Sequence, residues 1–424
     1  MNNALTKPSL ASRIKTVRSP KGVEAWLIED YTVPLISFEI ALRGGSSQDP
    51  SAKPGVATML TSLLDEGAGP YDSASFHERL DDFAIEIHFG ASRDGVTGHL
   101  RTLARHKDEA FDMLRIALNE ARFDDEPVER VRAQLTASIL NEMNDPDVMA
   151  NRAWFASAFE GHPYARPAKG TIESLKTIQV ADLRAYQKRI FARETLKVAV
   201  VGAIDAATLS PLLDQLFGAW PEKAEMMPVP VMEPKGRGTR KVIDLDIPQS
   251  SIRYGAKGLA TEDPDFVIAS VVNHILGGGV FSSRLFREVR EKRGLAYSVS
   301  SQLASLDFGP LHMGGTSTKN ERAVESLSII EAEIKSLATD GPTAEELEIA
   351  KKYLIGSYPL RFDTSAKLAS QLVQIQIDNL GRDYMDRRNG LIAAVTRDEA
   401  ARVAKRLYGD GAIFTTIVGR PTGV

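Results

Sequence analysis

The stretch Gly55–Asp65, GVATMLTSLLD, sets three hydroxyls into an otherwise apolar pattern: Thr58, Thr61 and Ser62, at i, i+3 and i+4. Residues so spaced share one face of a helix, and this is the spacing of a ligand cluster. The seven histidines build no metal site of their own. His77 stands beside Glu78 on a predicted helix with Ser73 or Ser75 as N-cap, but no second histidine follows at i+3 or i+4. Neither H-x-x-E-H nor H-E-x-x-H occurs, which rules out a self-contained metallopeptidase site of either type, and no G-x-S-x-G elbow is present. The run LGGGVFSSRLF holds Gly277, Gly278 and Gly279 without the ending of a P-loop or the spacing of a dinucleotide fingerprint. Flexible or closely approached backbone is the default there, and a peptide-binding loop is the alternative. In SSRLFREVREKRGLAYSVSS, Ser282 or Ser283 can cap a short helix that bears Arg284, Arg287, Arg290, Lys292 and Arg293. That helix ends at Gly294 as its C′ residue, and a strand begins at Leu295. Taken alone, those basic residues are dipole partners on a solvated face.

The elements that must position these residues come as two copies. Residues 221–239, PEKAEMMPVPVMEPKGRGT, have four prolines and no helical or strand period, so they form a linker between domains at 18–220 and 240–424. Each half opens on strand-like runs (AWLIED and LISFEIAL; KVIDLD and SIRYGAKG) and continues through a helix near an Asp-Pro dipeptide to a further pair of strands. Long amphipathic helices follow, and each half closes on a β-branched run ending in Val-Gly, LKVAVVG and AIFTTIVG. Residues 126–150 lie over 345–369 without a gap. The pattern predicts an α+β protein of two homologous domains, each a mostly antiparallel mixed sheet covered by helices on one face.

The segment GGGVFSSRLFREVREKRGLAY resembles the second half of the pitrilysin/insulinase family of zinc metallopeptidases, which includes the mitochondrial processing peptidases. Family-like stretches, VPLISFEIALRGGSSQDP and GHPYARPAKGTIESLKTIQVADLRAYQKRIF among them, extend the similarity from about Ser19 to Val418. In that family an Arg and a Tyr seven positions apart hold the substrate, and the resemblance assigns this pair to Arg290 and Tyr297. Catalytic members read G-L-A-H-x-x-E-H where this chain reads Gly55-Val56-Ala57-Thr58-Met59-Leu60-Thr61-Ser62. Thr58 and Ser62 therefore replace the ligand histidines, and Thr61 replaces the general-base glutamate. The third ligand corresponds to Ser138, and Val131 replaces an upstream glutamate. Zinc needs imidazole, carboxylate or thiolate ligands, and a hydroxyl is no general base near neutral pH. The resemblance thus implies a subunit that binds no cofactor itself and is inactive alone. Zinc belongs to a homologous H-x-x-E-H partner in a heterodimer, and Arg290, Tyr297 and the loop Gly277–Gly279 contact a peptide substrate. The alternative is a catalytically dead homologue that serves as a scaffold or peptide-binding protein.

Bulk properties narrow the partners. With 52 basic against 56 acidic residues the net charge is −4, so nothing draws the chain to nucleic acid. No apolar run approaches membrane-spanning length. Cysteine is absent, which excludes disulfides and thiolate metal sites but leaves the compartment undecided. As it stands the sequence reads as soluble and cytoplasmic, or periplasmic if a leader peptide has been removed.

Overall fold

The computed structural model describes residues 9–279 and 281–423. Its contacts divide the chain into two compact units. The first takes the chain up to Ala137, with Ala168–Pro228 and Tyr358–Arg387; the second takes Ser138–Pro167, Val229–Ser357 and the chain from Arg388 on. Each unit therefore includes a segment from the other half of the sequence.

The first unit is built on strands β1 (Lys15–Arg18), β2 (Glu24–Glu29), β3 (Leu35–Arg43), β4 (Glu86–Ala91), β5 (Gly95–Leu103) and β6 (Lys197–Gly202), in the order β1-β2-β6-β3-β5-β4. The second has β7 (Arg240–Ile243), β8 (Gln249–Lys257), β9 (Ala296–Ala304), β10 (Leu311–Lys319) and β11 (Phe414–Val418), in the order β7-β11-β8-β10-β9. Without β1, which has no counterpart and which the sequence pattern did not announce, the two orders coincide. In each sheet one pair is parallel, β2 with β6 and β7 with β11, and the other pairs are antiparallel. Here the expected duplicated α+β architecture is visible strand by strand. Equivalent glycines close the two copies: Gly202 after β6 has φ +145° and Gly419 after β11 has φ +140°, a region that side chains avoid.

Helices of its own half cover one face of each sheet. Phe38 of β3 meets Phe111 of the helix Lys107–Asn119 edge-on at 5.3 Å and Phe217 of the helix Ala206–Phe217 at 6.3 Å. Ile252 and Ile417 join Leu327, Val403 and Leu407 in the matching core of the second unit. The opposite face of each sheet receives a helix from the other half of the chain. Leu368, Leu372 and Ile375 of Ser365–Ile377 pack on Trp26, Ile28 and Val201 of the first unit. Trp154 and Phe155 of Pro146–Ala158 pack with Met313 and Phe414 of the second. Buried hydrogen bonds fix both: Gln376 Nε2 donates to Val198 O (2.9 Å), and Trp154 Nε1 donates to Phe414 O (3.0 Å). These two helices sit at matching positions of the ungapped overlay, and their N-caps, Asp145 and Thr364, are equivalent residues in it. Among the described residues no helix is long and apolar enough to cross a membrane.

Candidate functional site

The hydroxyl stripe of the first unit is spent on its own backbone. Buried Asp49 accepts from the Gly55 and Ala57 amides (2.7 and 2.8 Å) and starts the helix Val56–Thr61. Thr58 Oγ1 donates to Ala168 O (2.8 Å), Thr61 Oγ1 to Ala57 O (3.1 Å) and Thr58 O (3.0 Å), and Ser62 Oγ to Thr58 O (3.0 Å). The α-helix ends at Thr61 rather than running to Asp65; such back-bonding competes with the helical ladder. At the next helix start the N-cap is Asp72, accepting from the Ser75 amide, in place of the expected Ser73 or Ser75. Ser138 is half-buried on the helix Asp125–Glu142 and belongs to the second unit, whereas Thr58, Thr61 and Ser62 lie in the first. Val131 of the same helix is only 2% exposed. Three neutral hydroxyls already donating to carbonyls, with an aliphatic core residue at the upstream position, do not fit zinc, which requires anionic or imidazole donors. Among the described residues no group of three or more His, Asp or Glu is arranged to hold a metal ion.

The second unit has a different character between two π-helical turns, His274–Gly278 and Phe286–Glu291, a geometry that is rare and recurs at functional sites. Four of the five basic residues in the segment are paired. Arg284, 7% exposed, binds Glu346 bidentately at 2.8 Å through both Nε and Nη2, and Arg287 reaches the same carboxylate at 3.1 Å. Lys292 and Arg293 both bind Glu288, at 2.6 and 2.7 Å. Burial alone would raise the Glu346 carboxyl, but hydrogen bonds from Arg284 and the Thr343 amide override it and hold the pKa at about 2. Arg290 is the exception: among the described residues it has no carboxylate partner. Its guanidinium lies 4.8 Å from the ring centre of Phe286 and 4.7 Å from that of Tyr297, a cation held between two π faces.

Tyr297 owes its position to a β-bulge. Ala296 pairs with Thr318 and Val299 with Thr316, so Tyr297 and Ser298 together oppose Ser317. The bulge turns two successive side chains outward, and Tyr297 is 83% exposed. Thr316 Oγ1 donates to Ser298 O (2.8 Å) and Thr318 Oγ1 to Leu295 O (2.6 Å), supplying partners for carbonyls at the irregularity. Close packing accounts for two of the three glycines. A Cβ on Gly277 would stand 2.6 Å from Ser301 Oγ, and one on Gly279 would stand 2.7 Å from His274 Nε2, while Gly278 faces solvent. Ser283 is buried, and its Oγ accepts from the Phe286 amide at 3.4 Å. Sequence reasoning passed over Phe286, although its i, i+4 relation to Arg290 is readable; Thr316, Thr318 and Glu346 carry no such local signal.

A twice-repeated α+β unit, with a hydroxyl-filled helix in one copy and a half-buried arginine stacked on an exposed tyrosine in the other, defines a peptidase-like fold without its metal donors. Residues 27–172 match the family model described as insulinase (peptidase family M16), and residues 177–354 match the one described as peptidase M16 inactive domain. The chain belongs to peptidase family M16. It is 28% identical to the non-peptidase homolog YmxG of Helicobacter pylori, over 79% of this chain and 78% of that protein. It is 25% identical to the uncharacterized zinc protease YmxG of Bacillus subtilis, over 84% and 86%. The crystal structure of a peptidase M16 inactive domain from Pseudomonas fluorescens superposes with a TM-score of 0.90 at 25% identity, covering 96% of this chain and 98% of that one.

Proposed function

We propose that this chain is the substrate-positioning subunit of a heterodimeric zinc metalloendopeptidase that acts on peptides or unfolded polypeptides. It carries no zinc of its own; the metal resides on a homologous partner with H-x-x-E-H intact. The observation that carries this assignment is the state of Arg290, which has no carboxylate partner among the described residues and is stacked on exposed Tyr297. A guanidinium and a phenol held together offer several N–H donors and one O–H to a peptide carbonyl and to the oxyanion that forms from it. Mixing the purified chain with its H-x-x-E-H partner should give chelator-sensitive hydrolysis of unfolded peptides. Arg290→Ala or Tyr297→Phe should lower that activity by about 10²–10³-fold, the effect of removing one oxyanion donor. A wild-type mixture no faster than the partner alone would refute the assignment.

A second function, a scaffold or peptide-binding protein without a peptidase partner, has one point in its favour: the Helicobacter pylori relative is described as a non-peptidase homologue. A pull-down separates the two, because a scaffold captures proteins that lack H-x-x-E-H.

A further inference from the structure

The Arg290–Tyr297 stack is part of a longer row. Phe281, in the loop after the glycines, is 75% exposed and meets Phe286 edge-on, with ring centres 5.3 Å apart. Phe286 in turn lies under Arg290, and Arg290 over Tyr297. The row Phe281–Phe286–Arg290–Tyr297 thus sets one cation among three aromatic rings, and both its ends are open to solvent. Phe286 is 4% exposed and is committed to the core; Phe281 is not. Folding gains little from a phenylalanine left three-quarters in water, since the hydrophobic benefit scales with area removed from it. Phe281 is separated from the Arg290–Tyr297 stack by the single ring of Phe286.

We propose that Phe281 is a specificity-determining residue that selects peptides with an aromatic or large aliphatic side chain beside the backbone held by Arg290 and Tyr297. The inference rests on the proposed peptide-positioning role and adds the class of peptide chosen. Backbone contacts from Arg290 and Tyr297 are blind to side-chain identity, whereas a phenyl face is favourable only toward an apolar neighbour and prefers edge-on or offset contact with another ring. The loop is suited to such contact because ion pairs take up four of the five basic side chains of the segment. Arg284 and Arg287 are held by Glu346, and Lys292 and Arg293 by Glu288, so among the described residues Arg290 is the one basic side chain of the segment with no carboxylate partner.

The test uses the purified full-length chain and short fluorescein-labelled Gly/Ser peptides, identical except for one central Phe, Leu or Gly. Fluorescence anisotropy should show the Phe and Leu peptides bound about tenfold more tightly than the Gly peptide, as partial burial of one such side chain provides. Phe281→Ser should reduce that ratio to about twofold or less while leaving the Gly peptide's affinity unchanged, and Phe281→Leu should retain most of it. Arg290→Ala should weaken all three peptides alike. Equal binding of the three peptides by the wild type would overturn the role of Phe281 and leave the positioning role standing. A preference undiminished in Phe281→Ser would overturn the assignment to this residue. Binding of no peptide at all would overturn both proposals.

Discussion

Replacing Glu346 by Gln keeps its shape and removes the charge that anchors the Arg290 segment. Its carboxylate takes both arms of Arg284 and one of Arg287, and it also accepts from the Thr343 amide at 2.9 Å in the capping box of the helix Ala344–Gly356. Side-chain exposures of 9% for Arg284 and 11% for Glu346 keep solvent screening small. A carboxyl lowered from 4.5 to about 2 corresponds to about 3 kcal/mol of preference for the charged form in the folded state. Because the folded pKa lies below the unfolded one, this stabilisation is complete above about pH 4.5 and is lost as the pH falls from there toward 2. At neutral pH, Glu346→Gln additionally strands a buried guanidinium, and the expected loss is about 3–5 kcal/mol. The double substitution Arg284→Met/Glu346→Leu removes both charges and should recover most of it. Urea unfolding of the two variants at pH 7, and of the wild type from pH 6 to 2, measures each quantity. Peptide affinity should follow the same pattern, weakened in the single variant and restored in the double, because Arg290 rides on this segment. A single variant that loses under about 1 kcal/mol, or a double variant no more stable than the single, would refute the anchoring role.

Three further outcomes are expected. His312 is fully buried in β10 beside Tyr408, with neither ring nitrogen partnered among the described residues, and burial lowers its pKa to about 4. The unfolded chain therefore binds the extra proton first, so stability should fall by about 3 kcal/mol between pH 6.5 and 4, and His312→Phe should flatten that slope in acid unfolding curves. Gly202→Ala should cost about 3 kcal/mol or more and Gly419→Ala less, by thermal unfolding: a Cβ on Gly202 drives into the Leu35 carbonyl, whereas one on Gly419 meets the movable Ser250 hydroxyl first, at 2.8 Å. Thr318→Val should cost about 1–2 kcal/mol by leaving Leu295 O without its 2.6 Å donor, and it should weaken peptide binding as the bulge under Tyr297 relaxes.

What the sequence made legible was whatever repeats or is local. The ungapped match of 126–150 with 345–369 announced the duplication, and Val-Gly at the end of each half marked the strands that close the sheets. Arg290 and Tyr297 were readable because both lie within one continuous motif. What lay outside reach was set by contacts distant in sequence. Pro146–Ala158 and Ser365–Ile377 each look like helices of their own half, and only the partners of Trp154 and Gln376 reveal the exchange. The early end of the helix at Thr61 follows from hydroxyls that turn back on their own carbonyls, a choice that apolar periodicity does not encode. The distinction between Arg290 and Arg284 or Arg287 depends on Glu346, more than fifty residues downstream.

Stability does not explain the Arg290 stack. An exposed cation–π contact is worth roughly 0.5–1 kcal/mol, while fixing an arginine side chain sacrifices up to about 2 kcal/mol of rotamer freedom. Its two contacts, one to exposed Tyr297 and one to core-packed Phe286, come close to cancelling that loss and leave little net contribution to folding. Arg284, a few residues earlier, shows how the same fold treats a structural arginine: buried, bidentate and fully paired. Arg290 has been given orientation without a charge partner among the described residues, and Tyr297 has been turned outward by a bulge whose carbonyls are met by buried threonines. Ordering a guanidinium in advance, with its N–H groups uncommitted, lowers the entropic cost of the next hydrogen bond it makes. In the first unit the hydroxyls of Thr58, Thr61 and Ser62 have no such reserve, because each already donates within the fold. For the proposed function the donors therefore lie on the second unit, and the form in which they are offered, a planar fork beside a phenol, suits a peptide carbonyl rather than a metal.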